Sequence, residues 1–344
     1  MHTSELNNSK CRIVVDAMGG DFAPQNIVLG AIQASIESDE FELFLVGKED
    51  EIGKVILSNN LPFDKNNIIH ADEVIGMNDS PTTSLKFKPN SSIVVGANLV
   101  KSNKADAFVS AGNTGAVMAA STLIMGRIPG VGRPTIGVAM PNINGTCYLF
   151  DIGAGKDARP QHFVEYSIMG SIYAKEIGGI INPSVGILSM GEEENKGNEV
   201  SIAAFNLLKK TKLNFIGNVE GRDILSGNVN VVICDGFVGN IILKFGEGVL
   251  NFLKFKFSEA ANQSLLNKIK IALVRKTLRN ILKDFDYQEY GGVPLLGVNG
   301  INIIGHGSST PKAIKNMVLR ANEMFKKKLI QKIENSLKDN QTVV

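Results

Sequence analysis

Little in this 344-residue sequence offers covalent, redox or metal chemistry. Its three cysteines, Cys11, Cys147 and Cys234, are odd in number, lack metal-ligand spacing and lie in or beside apolar strand-like runs. They read as buried reduced thiols of a cytoplasmic protein, which excludes a disulfide framework. Charge is scarce and balanced: 20% of residues are charged and the net charge is +2. No global field therefore points to nucleic acid, and any basic site has to be local. No window approaches eighteen uninterrupted apolar residues, so no spanning helix is expected. Residues 1–10 have no apolar core, so no secretory signal is expected there either.

Three familiar site templates are also missing. No Gly-x-Gly-x-x-Gly follows the first strand-like run, which disfavours a standard dinucleotide fold. Gly153-Ala154-Gly155-Lys156-Asp157 is similar to part of a phosphate-binding Walker loop, but Asp157 stands where a Ser or Thr is needed. No Gly-x-Ser-x-Gly elbow is present, so a serine hydrolase is not expected. Glu192, Glu193 and Glu194 are adjacent, so their side chains diverge, and they read as solvated acids with no metal expected.

What the sequence does contain is a sizeable apolar fraction, 44%, arranged as strand-like runs alternating with helix-like stretches. That alternation predicts an α/β fold with a largely parallel, layered sheet. The runs are 12–16, 42–46, 107–110, 136–140, 147–151, 185–189, 214–217, 231–235 and 301–305. Helices are predicted over 27–36, 91–102, 114–125, 161–177, 198–209 and 311–329, the last with Thr310 as N-cap and Pro311 in its first turn. The expected organisation is a flexible extension over 1–10, a single α/β domain over 11–335 and a polar tail over 336–344. No short repeat is visible, so a solenoid is not expected.

Five of the runs end in glycine-rich turns: 17–21, Ser110-Ala111-Gly112-Asn113-Thr114-Gly115, 151–156, Asp235-Gly236-Phe237-Val238-Gly239-Asn240, and Gly305-His306-Gly307-Ser308-Ser309. Glycines let backbone N–H groups approach an anion, and helix N-termini favour its charge, so the set predicts a common carboxyl edge that handles phosphate. In the fourth turn Asp235, Gly236 and Gly239 shape the loop, while Asn240 offers an amide that can donate to a phosphate oxygen or an oxyanion. A purely structural strand-to-helix turn is the alternative. In the second turn Gly112, Asn113, Thr114 and Gly115 open a helix with small residues, which admit either a ligand or a neighbouring helix. Lys196, beside Gly197 at a helix start, can hold a phosphate as a point charge. His306 can donate to phosphate or move a proton, or it can simply hold its turn.

The stretch 264–285 stands apart, having no glycine or proline and an apolar residue at mostly helical spacing. Lys268, Lys270, Arg275, Lys276, Arg279 and Lys283 against the single acid Asp284 make it basic. An ordinary surface helix, a subunit contact, a dock for an acidic protein and an anionic-membrane contact all fit this pattern.

Taken in order, the segments 15–24, 110–116, 191–199, 215–220, 234–240, 290–292 and 306–309 resemble those of the bacterial phosphate acyltransferases, over about residues 12–323. The resemblance implies a fold of the isocitrate and isopropylmalate dehydrogenase and phosphotransacetylase type, a homodimer, and no cofactor. It implies acyl transfer from acyl carrier protein to orthophosphate for phospholipid synthesis, upstream of a membrane glycerol-3-phosphate acyltransferase. Lys196 and Asn240 are the residues it supports most strongly, with phosphate held by Lys196 and backbone N–H groups near Gly112–Gly115 and Gly239. The basic stretch, through Lys268, Lys270, Arg275, Lys276 and Arg279, is the expected contact for carrier protein or anionic lipid, and peripheral membrane association follows from it. One departure stands out: where the family usually has Asp-x-Gly-Ala-Asn, this chain has Gly155 in place of the Asn. A phosphotransacetylase using acetyl-CoA, a metal- and NAD-dependent decarboxylating dehydrogenase and a membrane-associated scaffold are the rival readings.

Overall fold

The computed structural model describes residues 10–340 apart from 156, 284, 286–288 and 290. Lys156, Asp284, Tyr290, the extension before residue 10, the last four residues and the side chains of residues 275 and 279–283, Arg275 and Arg279 among them, lie outside the described residues.

In chain order the elements begin with β1 (Cys11–Asp16), α1 (Gln25–Glu37), β2 (Phe41–Gly47), α2 (Glu49–Ser58), β3 (Ile68–His70), α3 (Pro81–Phe87) and α4 (Ser92–Lys101). They continue through β4 (Ala107–Ser110), α5 (Thr114–Ala120), β5 (Thr135–Asn142), β6 (Gly145–Phe150), α6 (Pro160–Glu176), β7 (Val185–Leu188) and α7 (Glu199–Leu208). Then come β8 (Phe215–Val219), α8 (Asp223–Ser226), β9 (Val231–Ile233), α9 (Gly236–Asn262) and α10 (Leu265–Lys283). The chain ends with β10 (Val293–Leu296), β11 (Ile301–Ile304), α12 (Pro311–Lys326) and α13 (Leu329–Asp339).

The chain forms two compact units. Unit 1 is Met1–Ile128 with Gly291–Ile330, and unit 2 is Pro129–Tyr290 with Gln331–Val344. In unit 1 the strand order is β3-β2-β1-β4-β11-β10. All these neighbours are parallel except β10 with β11. Strands β1, β4 and β11 are mostly apolar and almost wholly buried, as strands covered on both faces must be. In unit 2 the order is β5-β6-β9-β7-β8, with β5 antiparallel to β6 and the rest parallel. Its core joins Leu149, Phe150 and Val231–Ile233 to Phe163, Tyr166 and Ile168 of α6, all buried.

Several boundaries differ from expectation for local reasons. The helix expected to reach Met125 gives way at Ser121 to a π-helical turn over Ser121–Met125. There the Ser121 hydroxyl donates to Val117 O at 2.7 Å and accepts from Asn302 Nδ2 at 2.6 Å. Helix α12 stops at Lys326, before the expected Leu329, and Lys328 turns the chain with φ 53°. Helix α13 then carries through the start of the expected polar tail, because Leu329, Ile333 and Leu337 recur every fourth residue and are all buried.

The five glycine turns divide between the units. Those after β1, β4 and β11 share the carboxyl edge of the parallel strands of unit 1, and those after β6 and β9 share that of unit 2. Asn113, Asn198, Asp235 and Thr310 each accept a backbone N–H as N-cap of the helix that follows, so four strand-to-helix turns are fixed by a side chain.

Candidate functional site

At the carboxyl edge of unit 1 the turns are tied together from beneath by one carboxylate. Asp16 ends β1 fully buried, accepting the Met18 N–H at 3.1 Å and the Ser110 hydroxyl at 2.7 Å. Ser110 in turn accepts the Gly112 N–H at 3.1 Å. Burial pushes the Asp16 pKa up, and hydrogen bonds from Ser92, Ser110, Met18 and Gly19 oppose that shift. Gly19 and Gly112 touch through their backbones: a β-carbon on Gly19 would lie 2.4 Å from the Asp16 carboxylate and 2.7 Å from Gly112 N.

Asn113 is wholly engaged by the protein. Its Oδ1 accepts the Ala116 N–H at 3.1 Å, and its Nδ2 donates to the carbonyls of Gly76, Met77 and Asp79 at 3.0–3.1 Å. Gly115 makes room for a neighbouring helix, since a β-carbon there would sit 2.6 Å from Pro81 Cγ at the start of α3. What the turn leaves open are the N–H groups of Thr114 and Gly115, which have no acceptor among the described residues. His306 follows β11 and is exposed. Its Nδ1 accepts the Ser308 N–H at 3.2 Å and lies 2.8 Å from the Ser308 hydroxyl. A ring nitrogen that accepts an N–H carries no proton, so the neutral imidazole holds its hydrogen on Nε2.

The carboxyl edge of unit 2 is built on Asp151, also buried. Its Oδ1 accepts the N–H groups of Gly153 and Ala154 at 3.0 and 2.8 Å, and its Oδ2 accepts that of Gly155 at 3.0 Å. Burial raises its pKa to about 6, with these backbone hydrogen bonds pulling the other way. The start of α9 is pressed onto the same turn. Gly236 N–H donates to Gly155 O at 3.0 Å, and a β-carbon on Gly239 would lie only 1.8 Å from Asp151 O.

The backbone donors at the start of α9, expected from the sequence to help hold phosphate, are spent. Phe237 and Val238 donate to the Asp235 carboxylate at 3.0 and 2.9 Å, and Gly239 donates to Asp235 O at 3.0 Å. Asp235 is therefore a cap. The side-chain amide of Asn240 is different: it is half-buried beside Gly153 and has no hydrogen-bond partner among the described residues.

Lys196 sits in a tethered loop. Its N–H donates to Glu193 O at 3.0 Å, and Asn218 Nδ2 reaches Glu193 O at 2.7 Å and Lys196 O at 3.4 Å. Gly197, with φ 117°, turns the chain into Asn198, the cap of α7. The Lys196 side chain is exposed and meets no carboxylate among the described residues. Two of its acidic neighbours pair with exposed basic side chains, Glu194 with Lys209 at 2.9 Å and Glu192 with Arg222 at 3.7 Å. Among the described residues no group of three or more His, Cys, Asp or Glu is placed to hold a metal.

Arg133 is a residue that sequence reasoning missed. It lies just before β5, outside every glycine turn, and its guanidinium occupies the space a side chain at position 155 would fill, with a β-carbon there falling 2.1 Å from Arg133 Cζ. An arginine before a strand carries no local signal, although the departure at Gly155 marked the place.

Helix α10 packs on α9. Lys268, Lys270 and Lys276 are exposed, as are Leu265, Ile269 and Leu273. Helix α9 exposes Phe237, Ile241, Phe245, Phe252 and Phe255, an apolar stripe at helical spacing. No helix among the described residues is long and apolar enough to cross a membrane.

The fatty acid synthesis protein family matches residues 11–332. The chain is 45% identical to a phosphate acyltransferase of Halothermothrix orenii over 328 residues, covering 95% of this chain and 98% of that one. It is 47% identical to a phosphate acyltransferase of Pelotomaculum thermopropionicum over 326 residues, covering 95% of each. Among solved structures, a phosphotransacetylase from Streptococcus pyogenes superposes with a TM-score of 0.62 at 18% identity, covering 92% of this chain and 94% of that one. At that identity the likeness concerns the fold, an α/β architecture with a mostly parallel sheet.

Proposed function

The chain belongs to the fatty acid synthesis protein family and is a phosphate acyltransferase, and we propose that it moves the acyl group of acyl carrier protein onto orthophosphate. An oxygen of orthophosphate attacks the thioester carbonyl carbon. The C–O bond forms as the carbonyl oxygen takes negative charge, and the C–S bond then breaks, releasing carrier thiolate and acyl phosphate. The thioester is already activated and orthophosphate is itself the nucleophile, so the transfer draws on positioning and charge stabilisation. Acyl phosphate is a mixed anhydride suited to acylating an alcohol, which places the product before a membrane glycerol-3-phosphate acyltransferase in phospholipid synthesis.

Asn240 carries the assignment. Every backbone donor from Gly236 to Gly239 is satisfied by the protein, while the Asn240 amide has no acceptor among the described residues. It donates to the phosphate or to the tetrahedral oxyanion. Lys196, an exposed ammonium on a fixed backbone, attracts the phosphate dianion. In unit 1, Gly112 and Asn113 shape the turn that presents the Thr114 and Gly115 N–H groups to an anion. His306, acting as the imidazolium, is the proposed proton donor to the departing thiolate, a lesser contribution because thiolates leave readily.

The likeness to phosphotransacetylases favours a fold of the isocitrate and isopropylmalate dehydrogenase type. The exposed lysines of α10, Lys268, Lys270 and Lys276, form the docking face for the acidic carrier protein and for an anionic membrane surface. The apolar stripe of α9 supports a homodimer. The protein works in the cytoplasm, at or near the membrane.

The deciding experiment incubates the protein with palmitoyl carrier protein and orthophosphate and traps acyl phosphate with hydroxylamine. Phosphate-dependent hydroxamate is the expected result. Product from acetyl-CoA but none from the carrier thioester would make the enzyme a phosphotransacetylase. Vesicle binding with no hydroxamate from either donor would leave a scaffold.

A further inference from the structure

We propose that Arg133 is an additional ligand for orthophosphate, its guanidinium standing in the space left by the missing side chain at Gly155. The inference rests on the reaction proposed above and adds a substrate-binding residue to it. Three observations within unit 2 carry it.

First, the guanidinium is placed by contact: a β-carbon on Gly155 would lie 2.1 Å from Arg133 Cζ and 2.3 Å from one Nη, so residue 155 has to be small for the arginine to lie there. Second, the group is short of partners. Of its five N–H donors, one is used, Nη1 to Asp157 O at 3.1 Å, and no carboxylate comes within 4 Å among the described residues. The buried carboxylates nearby are engaged with backbone, Asp151 accepting three N–H groups and Glu165 accepting those of Gly132 and Arg133 at 2.9 and 3.3 Å. The guanidinium is open to solvent where it makes its one hydrogen bond, so its remaining N–H groups have capacity for an anion.

Third, the same turn joins it to Asn240. Gly155 bonds to Gly236 at the start of the 27-residue α9, and Asn240 lies against Gly153. One rigid turn thus carries a guanidinium at Gly155 and an open amide at Gly153, beside the positive end of a long helix. A guanidinium presents paired N–H groups that match phosphate oxygens in a way no single amide can. The local charge is positive in effect: the Arg133 and Arg159 charges, after burial, depress the pKa of His162.

The test is a set of variants, Arg133→Ala, Arg133→Lys, Gly155→Ala and the double variant, assayed for both substrates and for phosphate binding by phosphorus NMR line broadening. Arg133→Ala is expected to raise the KM for orthophosphate and weaken its binding about 10- to 100-fold, in line with loss of one charged ligand, with the carrier-protein KM unchanged. Arg133→Lys should recover part of the loss. Gly155→Ala should push the guanidinium aside and weaken phosphate similarly, with little further effect once Arg133 is gone. Orthophosphate KM and binding unchanged in Arg133→Ala would overturn the assignment while leaving the acyl transfer intact. A rise confined to the carrier-protein KM would also overturn it. Phosphate bound through Arg133 by an enzyme that makes no acyl phosphate would keep the ligand and overturn the reaction.

Discussion

Replacing Asp151 by Asn would expose the energetics of the turn against which Arg133 and Asn240 lie. Asp151 is 1% exposed, and burial holds its pKa at about 6, above the 3.8 of a free side chain. A carboxyl group that binds its proton more tightly when folded adds stability that is fully present below the unfolded pKa and is lost as pH rises through the folded one. The gap of about two units corresponds to about 3 kcal/mol at 1.36 kcal/mol per unit, lost between about pH 4 and pH 6. Asn has no proton to lose, so in Asp151→Asn this contribution disappears. The substitution also turns an amide nitrogen toward the Gly155 N–H, which Oδ2 now accepts at 3.0 Å, leaving a buried donor unmatched at a cost of about 1–3 kcal/mol. The variant should therefore be less stable than the parent at pH 4 by about that amount and about equal to it, or slightly more stable, at pH 7. Urea unfolding of both proteins across pH 3.5 to 8 measures the difference directly. A stability difference constant across that range would refute the reasoning, since it would mean that Asp151 titrates alike in the folded and unfolded chains.

Asn240→Ala should cost about 10²- to 10³-fold in turnover if its amide stabilises the oxyanion. The thermal midpoint should barely move, because the amide has no acceptor among the described residues. Unchanged turnover would remove Asn240 from the site. Gly239→Ala would place a methyl 1.8 Å from Asp151 O, and the forced displacement should destabilise by about 1–3 kcal/mol, read as a lower unfolding midpoint. Reversing Lys268, Lys270 and Lys276 to Glu should raise the KM for acyl carrier protein in a salt-sensitive manner. An unaltered carrier KM at low salt would assign α10 another task.

The fold was legible where burial is uniform. Val231-Val232-Ile233 and Ala107–Ser110 read as strands because nothing polar interrupts them, and Thr310-Pro311 announced a helix start that Thr310 does cap. Short strands such as Ile68–His70 escaped, since three residues, none of them buried, give no period to detect. At the site the sequence located the turns but misjudged which atoms are free. Backbone N–H groups near Gly239 looked available, yet Asp235 takes two and its own carbonyl a third. Asn113 read as an amide beside a ligand turn, yet three carbonyls of the 76–79 segment occupy it. Such satisfaction depends on partners distant along the chain. Arg133 is the converse case, a residue of no local distinction brought to Gly155 by the strand that follows it.

The interleaving of the two units bears on synthesis. Unit 1 is discontinuous, and its β11 lies inside the sheet, between β4 and β10. A nascent chain that has emerged only to residue 290 holds all the strands of unit 2 but leaves β4 with an open edge, since its partner has not yet been made. The strands of unit 2 can therefore pair first, its closing segment 331–344 following last, while the 1–128 part of unit 1 waits for residues 291–330. During that interval an exposed parallel edge made of Ala107-Phe108-Val109 needs protection from other chains. Translation rate over the final segment, and chaperone occupancy during it, should then govern the yield of native protein more than the stability of either finished unit.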